Sequence, residues 1–263
     1  MKLQSHIIED ALDPEFMRGY TALNSYFGQR NEMEAVDVLE NRLAWGRETL
    51  NDDYQLYYEM VVLLDEQGAL ACTCDYSVVI NKLANLPAIV HLSHILIEPP
   101  FLGKGIVGQH MNRLTIAAAN TAKQLFNKPV DLPIILVGEM DHPYFNKNEE
   151  TIRRINLFIH AGLKLVDLRS INYYQPDFGA PADIDAAGGA EGLPLALMLR
   201  RFGLEEETSI SGSDLTHIIK SLYAMYGKTF REQDMAVVYK TLSAYPGATD
   251  LVPLLTEIPN ARD

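Results

Sequence analysis

The segment His91–Leu114, HLSHILIEPPFLGKGIVGQHMNRL, constrains this chain more than any other stretch. A leucine- and isoleucine-rich run ends at Pro99-Pro100, passes through Gly103-Lys104-Gly105, and continues directly into apolar residues at helical spacing. Proline lacks the N–H that a strand ladder needs, and glycine takes backbone angles closed to other residues, so the pattern reads strand, loop, helix. Where such a loop meets the helix, backbone N–H groups and the positive end of the helix dipole converge. A phosphate or diphosphate is the ligand suited to that point.

Three kinds of phosphate loop compete for the segment. A nucleoside-triphosphate loop needs Ser or Thr directly after Gly-Lys, to meet the magnesium ion. Gly105 and Ile106 stand there instead, which excludes it. A dinucleotide loop needs Gly-x-Gly-x-x-Gly early in a βαβ unit, with an acid about 20 residues on. Gly103, Gly105 and Gly108 have the spacing, but they lie mid-chain, and residues 122–126 offer no acid.

The third kind accounts for more of the residues. The register Ile97-Glu98-Pro99-Pro100-Phe101-Leu102-Gly103-Lys104-Gly105-Ile106-Val107 resembles the coenzyme A loop of the GNAT acetyltransferase superfamily, whose consensus runs Val-x-Pro-Glu-Tyr-Arg-Gly-Lys-Gly-Ile-Gly. The family's core, Arg/Gln-x-x-Gly-x-Gly/Ala, is kept at Gly105 and departs at Leu102 and Val107. Leu102 removes a side-chain donor. Val107 adds bulk where phosphate approaches the backbone, and Lys104 and Gly108 are placed to compensate in part.

The surrounding elements agree with that resemblance. Pro14–Tyr26 and Glu34–Trp45 carry helical apolar stripes. Tyr54–Ile80 reads as a hairpin turning at Asp65-Glu66-Gln67-Gly68, and His91–Glu98 as the next strand. A long helix follows the glycine loop, then a strand Pro133–Met140. A helix capped by Asn148 ends at Gly162, and Leu163–Tyr174 is expected as one strand. Residues 157–163 place Leu157-Phe158 and Gly162-Leu163 in the frame of the family's later motif, Asn-x-x-Ala-x-x-Phe-Tyr-x-x-x-Gly-Phe. The expectation is an α/β fold of the α+β type, with a GNAT-like mixed, mostly antiparallel sheet flanked by helices over residues 1–203. Residues 204–263 are expected as a helical C-terminal extension. In it, Leu215–Met225 forms a helix stopped by Gly227, and Thr229–Glu232 a capping box opens another.

By the resemblance, the cofactor is acetyl-CoA. Its pyrophosphate falls to Leu102, Gly103, Lys104, Gly105, Ile106, Val107 and Gly108, mostly through backbone N–H, and the strand whose bulge exposes N–H groups to the thioester is His91–Glu98, with Leu96 and Ile97 nearest it. The implied reaction is transfer of an acetyl group to a small-molecule amine by direct attack in a ternary complex. Glu139, a carboxylate at the open end of a buried strand, is the first candidate base, with Glu98 and His94 second. The family's acid is a tyrosine at the position of Phe158, which has no proton to give. His160 points to the opposite side of that helix, which leaves Tyr173 or Tyr174. A non-catalytic acyl-CoA-binding or interaction module on the same fold is the alternative reading.

Charge and composition narrow the partners. With 22 basic against 35 acidic side chains, a net charge of −13 opposes nucleic acid and anionic membrane surfaces. The glycine- and proline-rich stretch 176–192 carries Asp177, Asp183, Asp185 and Glu191 without Lys or Arg, which favours a cationic acceptor. No apolar run approaches the ~20 residues of a membrane span, and the first residues lack the apolar core of a signal peptide, so a cytoplasmic protein is expected. A homodimer is permitted. Cys72 and Cys74, two apart on a strand, are expected as buried reduced thiols rather than a metal site.

Overall fold

A computed structural model describes residues 2–30, 32–45, 48–51, 53–146 and 148–259. The chain divides into two units, Met1–Leu132 and Pro133–Asp263.

In the first unit, the apolar runs on either side of Asp65–Gly68 form strands β3 (Tyr54–Leu64) and β4 (Leu70–Asn81). The Asp65 carboxylate accepts the N–H groups of Gln67 and Ala69, at 2.9 and 2.8 Å, and Gly68 takes φ +77°. This side-chain turn closes the hairpin. β5 (Ala88–Ile97) pairs with β4; β1 (Gln4–Ile8) and the short β2 (Glu48–Thr49) pair with β3, all antiparallel. One face of β3, bearing Tyr58, Met60 and Val62, is covered by α1 (Phe16–Phe27) and α2 (Val36–Trp45) through Phe16, Leu23, Phe27, Leu39 and Leu43. The side-chain alternation of the strands puts Glu59, Cys74 and Tyr76 on the opposite face. There α3 (Asn112–Leu125) lies down with Ala118, Ala119 and Ala122 buried and Thr115 beside Tyr76. Cys72 and Cys74 are buried free thiols.

In the second unit, β6 (Ile134–Asp141), β9 (Leu193–Arg201), β7 (Lys164–Val166), β11 (Leu251–Leu255) and β10 (Ser209–Ser211) pair in that order, again antiparallel. β8 (Tyr173–Gln175) pairs with β9 along the edge that β7 also uses. Helices α4 (Glu149–His160), α5 (Pro181–Ala186), α6 (Gly212–Thr229) and α7 (Glu232–Tyr239) complete it. Asn148 caps α4 as expected, its side chain accepting the Thr151 N–H at 2.7 Å, and Gly162 ends it at φ +92°.

Several expectations give way here. The strand expected over Leu163–Tyr174 is two strands, because Asp167 takes the N–H and Nε of Arg169 and the hydroxyl of Ser170 and folds the chain into a turn. The 176–192 stretch contains α5, opened by Pro181. Gly227 does not stop α6, which runs on to Thr229. The site where its Cβ would stand is 2.7 Å from the Tyr239 hydroxyl, so glycine is there for close approach. Thr229 closes α6 rather than capping α7, whose N-cap position is Arg231. The segment after residue 203 is not helical alone: β10 and β11 join it to the ladder through Leu254 opposite Val166. Among the described residues no helix is long and apolar enough to cross a membrane.

Candidate active site

The first unit holds the glycine loop. β5 ends at Ile97, and the next residues make a 3-10 turn, Pro99–Phe101, closed by the Phe101 N–H on the Glu98 carbonyl at 2.8 Å. Gly103 and Gly105 both take φ +74°, a conformation that side chains disfavour. The chain then enters a π-turn over Val107–Met111 before α3 begins, and the Gln109 N–H reaches back to the Gly105 carbonyl at 3.0 Å. The N–H groups of Gly105 to Gly108 precede that first helical bond, and such groups have no partner within the helix. Ile106, Val107 and Met111 are buried and anchor the turn, while Gln109 is exposed. A Cβ added at Gly103 or Gly108 would meet nothing within 4 Å, whereas one at Gly105 would stand 3.3 Å from the Gln109 Nε2, so the space is open over the outer glycines and the Gln109 side chain lies over the central one.

The two departures from the consensus are placed differently. Val107 points into the core at 5 % exposure and does not narrow the approach to the backbone. Leu102 is exposed and offers no donor. The exposed Lys104 places its ammonium 4.7 Å from the Phe101 ring centroid, a cation–π contact.

The strand before the loop carries its bulge away from Leu96 and Ile97. Its ladder with β4 is regular at Leu96, opposite Thr73, and at Ile97, opposite Cys72. The irregularity falls between Asp75 and Tyr76, whose partners are His94 and Leu92, so Ser93 is the extra residue of a β-bulge. Its hydroxyl lies 3.2 Å from His91 Nδ1. His94 is no base. Its Nδ1 is 3.0 Å from Asp75 Oδ1 and its Nε2 2.8 Å from the Glu32 carbonyl, so both ring nitrogens are engaged. Burial pulls the imidazolium down, but Asp75, with Glu34 beyond it, more than reverses this and pushes His94 up to about 9. The same contacts hold Asp75 below the usual carboxylate range despite its burial. Arg42 reaches Glu34 at 2.5 Å and completes a buried charged strut. Glu98 is partly buried, and its N–H donates to the Ala71 carbonyl at 3.1 Å.

The second unit holds Glu139. Its strand position faces Leu197 on β9, while Tyr173 faces Leu195 and Gln175 faces Leu193 on β9's other edge. Residues 193, 195 and 197 share one side of a strand, so Glu139, Tyr173 and Gln175 share one face of this sheet. The Tyr173 hydroxyl donates to Glu139 Oε1 at 2.5 Å. The Tyr226 hydroxyl, from α6, donates to Oε2, and Gln175 Nε2 reaches the same oxygen at 3.4 Å. Tyr173 is fully buried. Burial and the neighbouring Glu139 raise its hydroxyl well above the usual range, so it stays protonated. With its ring enclosed and its hydroxyl hydrogen-bonded to Oε1, Tyr173 holds the Glu139 carboxylate. Phe158 is buried on α4, and His160 Nδ1 is 2.6 Å from the Asn156 carbonyl.

Two of the four acids in the 176–192 stretch are engaged. Asp185 receives both Arg231 NH groups at 2.9 Å, and Asp177 accepts the Gly179 N–H at 2.8 Å. Gln175 and Tyr226 fall outside the sequence expectation because no motif marks them. Among the described residues no three His, Cys, Asp or Glu side chains are placed to hold a metal ion.

No family model matches this chain, and no curated protein matches it. Solved structures of acetyltransferases are similar to it. One is the spermidine N-acetyltransferase of Vibrio cholerae in complex with CoA and spermine, 14% identical over 78% of this chain and 98% of that one, with a TM-score of 0.43. Another is a GNAT superfamily phosphinothricin acetyltransferase of Sinorhizobium meliloti in complex with AcCoA, 17% identical over 78% of this chain and 90% of that one, with a TM-score of 0.41.

Proposed function

We propose that this chain is an acetyl-CoA-dependent N-acetyltransferase acting on a small-molecule amine in the cytoplasm, with its transferase elements in residues 1–203 and an extension in 204–263. The observation that carries the reading is the backbone cradle at Gly103–Gly108, where Gly103 and Gly105 take φ +74°, Ile106 and Val107 turn inward, and the N–H groups of 105–108 precede the first helical bond. Those N–H groups, with Leu102 and Lys104 at the rim, would hold the cofactor's pyrophosphate, and the strand at Leu96 and Ile97 would run beside its thioester arm. Bound acetyl-CoA supplies an activated acetyl group. The acceptor amine forms the new C–N bond, its proton passes to the Glu139 carboxylate or, as the second choice, to Glu98, and the thiolate leaves. A thiolate is a tolerable leaving group near neutral pH, so a solvent proton serves where the chain offers no acid. The two acids of 176–192 not assigned above, Asp183 and Glu191, favour a cationic acceptor.

The exposed Leu102 and the Lys104 ammonium on Phe101 favour the second reading, an acyl-CoA-binding module without turnover. Isothermal calorimetry with acetyl-CoA, on the wild type and on Gly108→Glu, tests both. Position 108 has room for a side chain, so the added carboxylate repels phosphate without disturbing the fold, and binding should weaken by at least about tenfold. Absence of wild-type binding, or equal binding by the variant, removes the cradle as a cofactor site. Binding without transfer to any amine of a broad panel supports the module.

A further inference from the structure

The Glu139 carboxylate is gripped from both sides by residues distant in sequence, and the grip from α6 has a defined direction. Gln175 Nε2 lies 3.0 Å from the Tyr226 hydroxyl oxygen. An amide nitrogen only donates, so that oxygen accepts, and the phenolic proton is left to point at Glu139 Oε2. The sequence of donors is therefore Gln175 to Tyr226 to Glu139, with Tyr173 on the other oxygen. Such chains strengthen each member. Tyr226 is 2 % exposed, and Phe178 and Phe230 pack edge-on against its ring at 6.1 and 5.9 Å. Phenylalanine would keep those ring contacts. The hydroxyl adds a donor to a half-buried carboxylate.

We infer that Tyr226 is a positioning residue for Glu139, so that the segment after residue 203 belongs to the chemical apparatus rather than standing apart from it. The inference rests on the role proposed above for Glu139. Tyr226 fixes which oxygen is presented, by donating its proton to Oε2. Tyr173 and Gln175 lock the same group through the sheet, and α6 is itself held by the Ser211 cap and by the Gly212 N–H on the Asp250 carbonyl at 2.8 Å.

The test is Tyr226→Phe, alone and combined with Glu139→Gln. Removing a donor from a carboxylate makes it easier to protonate. The acid limb of the kcat/KM profile should move up by about one pH unit and kcat near neutrality should fall roughly tenfold, while KM for acetyl-CoA stays the same. In the Glu139→Gln background, Tyr226→Phe should change the pH profile no further, because the titrating carboxylate is gone. Carbon-13 observation of the Glu139 carboxyl, assigned by its loss in Glu139→Gln, reads the same shift without any activity. An upward shift there in a protein that transfers no acetyl group would sink the proposed reaction and leave the positioning role standing. An unmoved carboxyl transition in a folded Tyr226→Phe protein overturns the inference, whatever the activity.

Discussion

His94 should make the chain lose stability as pH rises through the range where most proteins are steady. In the folded chain the imidazolium lies between Asp75 and the Glu32 carbonyl, with Glu34 3.9 Å away, and it keeps its proton to about pH 9 against an ordinary 6.5. Between those values the folded state binds one more proton than the unfolded state. The stabilisation is complete below pH 6.5 and is lost as pH climbs to about 9. At 1.36 kcal/mol per unit, the gap amounts to about 3 kcal/mol, a large share of an ordinary domain's stability. Urea unfolding followed by circular dichroism at pH 6.5, 7.5, 8.5 and 9.5 measures it. The wild type should lose about 3 kcal/mol over that series, and His94→Gln, which titrates nothing there, should lose far less. The difference between the two profiles isolates His94 from the other titrating groups. Parallel profiles would show that the strut contributes no proton-linked stability, and the charged state assigned to His94 would be wrong.

Two further outcomes follow from buried groups on this scaffold. Glu59 is enclosed beside Tyr57, and burial pushes it up to about 7 from 4.5, with the Tyr57 hydroxyl opposing and Glu9 adding. Its contribution is present below pH 4.5 and lost as pH rises through about 7. Glu59→Gln should therefore raise stability at pH 8, by up to about 3 kcal/mol, and much less at pH 5. Thermal unfolding at the two pH values decides it, and a variant weaker at both would refute the burial argument. Gly212 starts α6 where a Cβ would stand 2.1 Å from the Gly247 carbonyl oxygen and 2.9 Å from that of Pro246. Backbone cannot swing aside as a side chain can, so Gly212→Ala should lose about 3 kcal/mol, and a melting temperature within 2 °C or so of wild type would show that the chain relaxes there.

What the sequence disclosed was whatever local chemistry decides. The β3–β4 hairpin is written in two apolar runs around Asp65–Gly68, the start of α4 in Asn148, and the loop in its glycines. β1 stays hidden because Gln4–Ile8 is short and has only Ile8 fully buried, so no alternation marks it. The break between β7 and β8 turns on one carboxylate, Asp167, capturing nearby donors. In the site, Glu139 is legible as an acid on a buried strand. His94 has the right residue type on the right strand, but alternation gives only its face and not the Asp75 carboxylate and Glu32 carbonyl that occupy its nitrogens. Tyr226 falls just after the apolar stripe Leu215–Met225, and no motif marks it. Its meaning arises only when α6 lies over the face that carries Glu139.

The strand orders of the two units imply different histories during synthesis. β3, β4 and β5 succeed one another in the chain, so each can pair with the strand just made. In the second unit β9 must return to β6, and β7 obtains its β11 neighbour only when residues 251–255 have been made. A nascent chain would therefore carry a finished first ladder while the edge of β7 still stands bare, and a bare strand edge is where one chain can pair with another. The interval between making residue 166 and residue 255 is the time in which this protein most needs to be kept from its own copies.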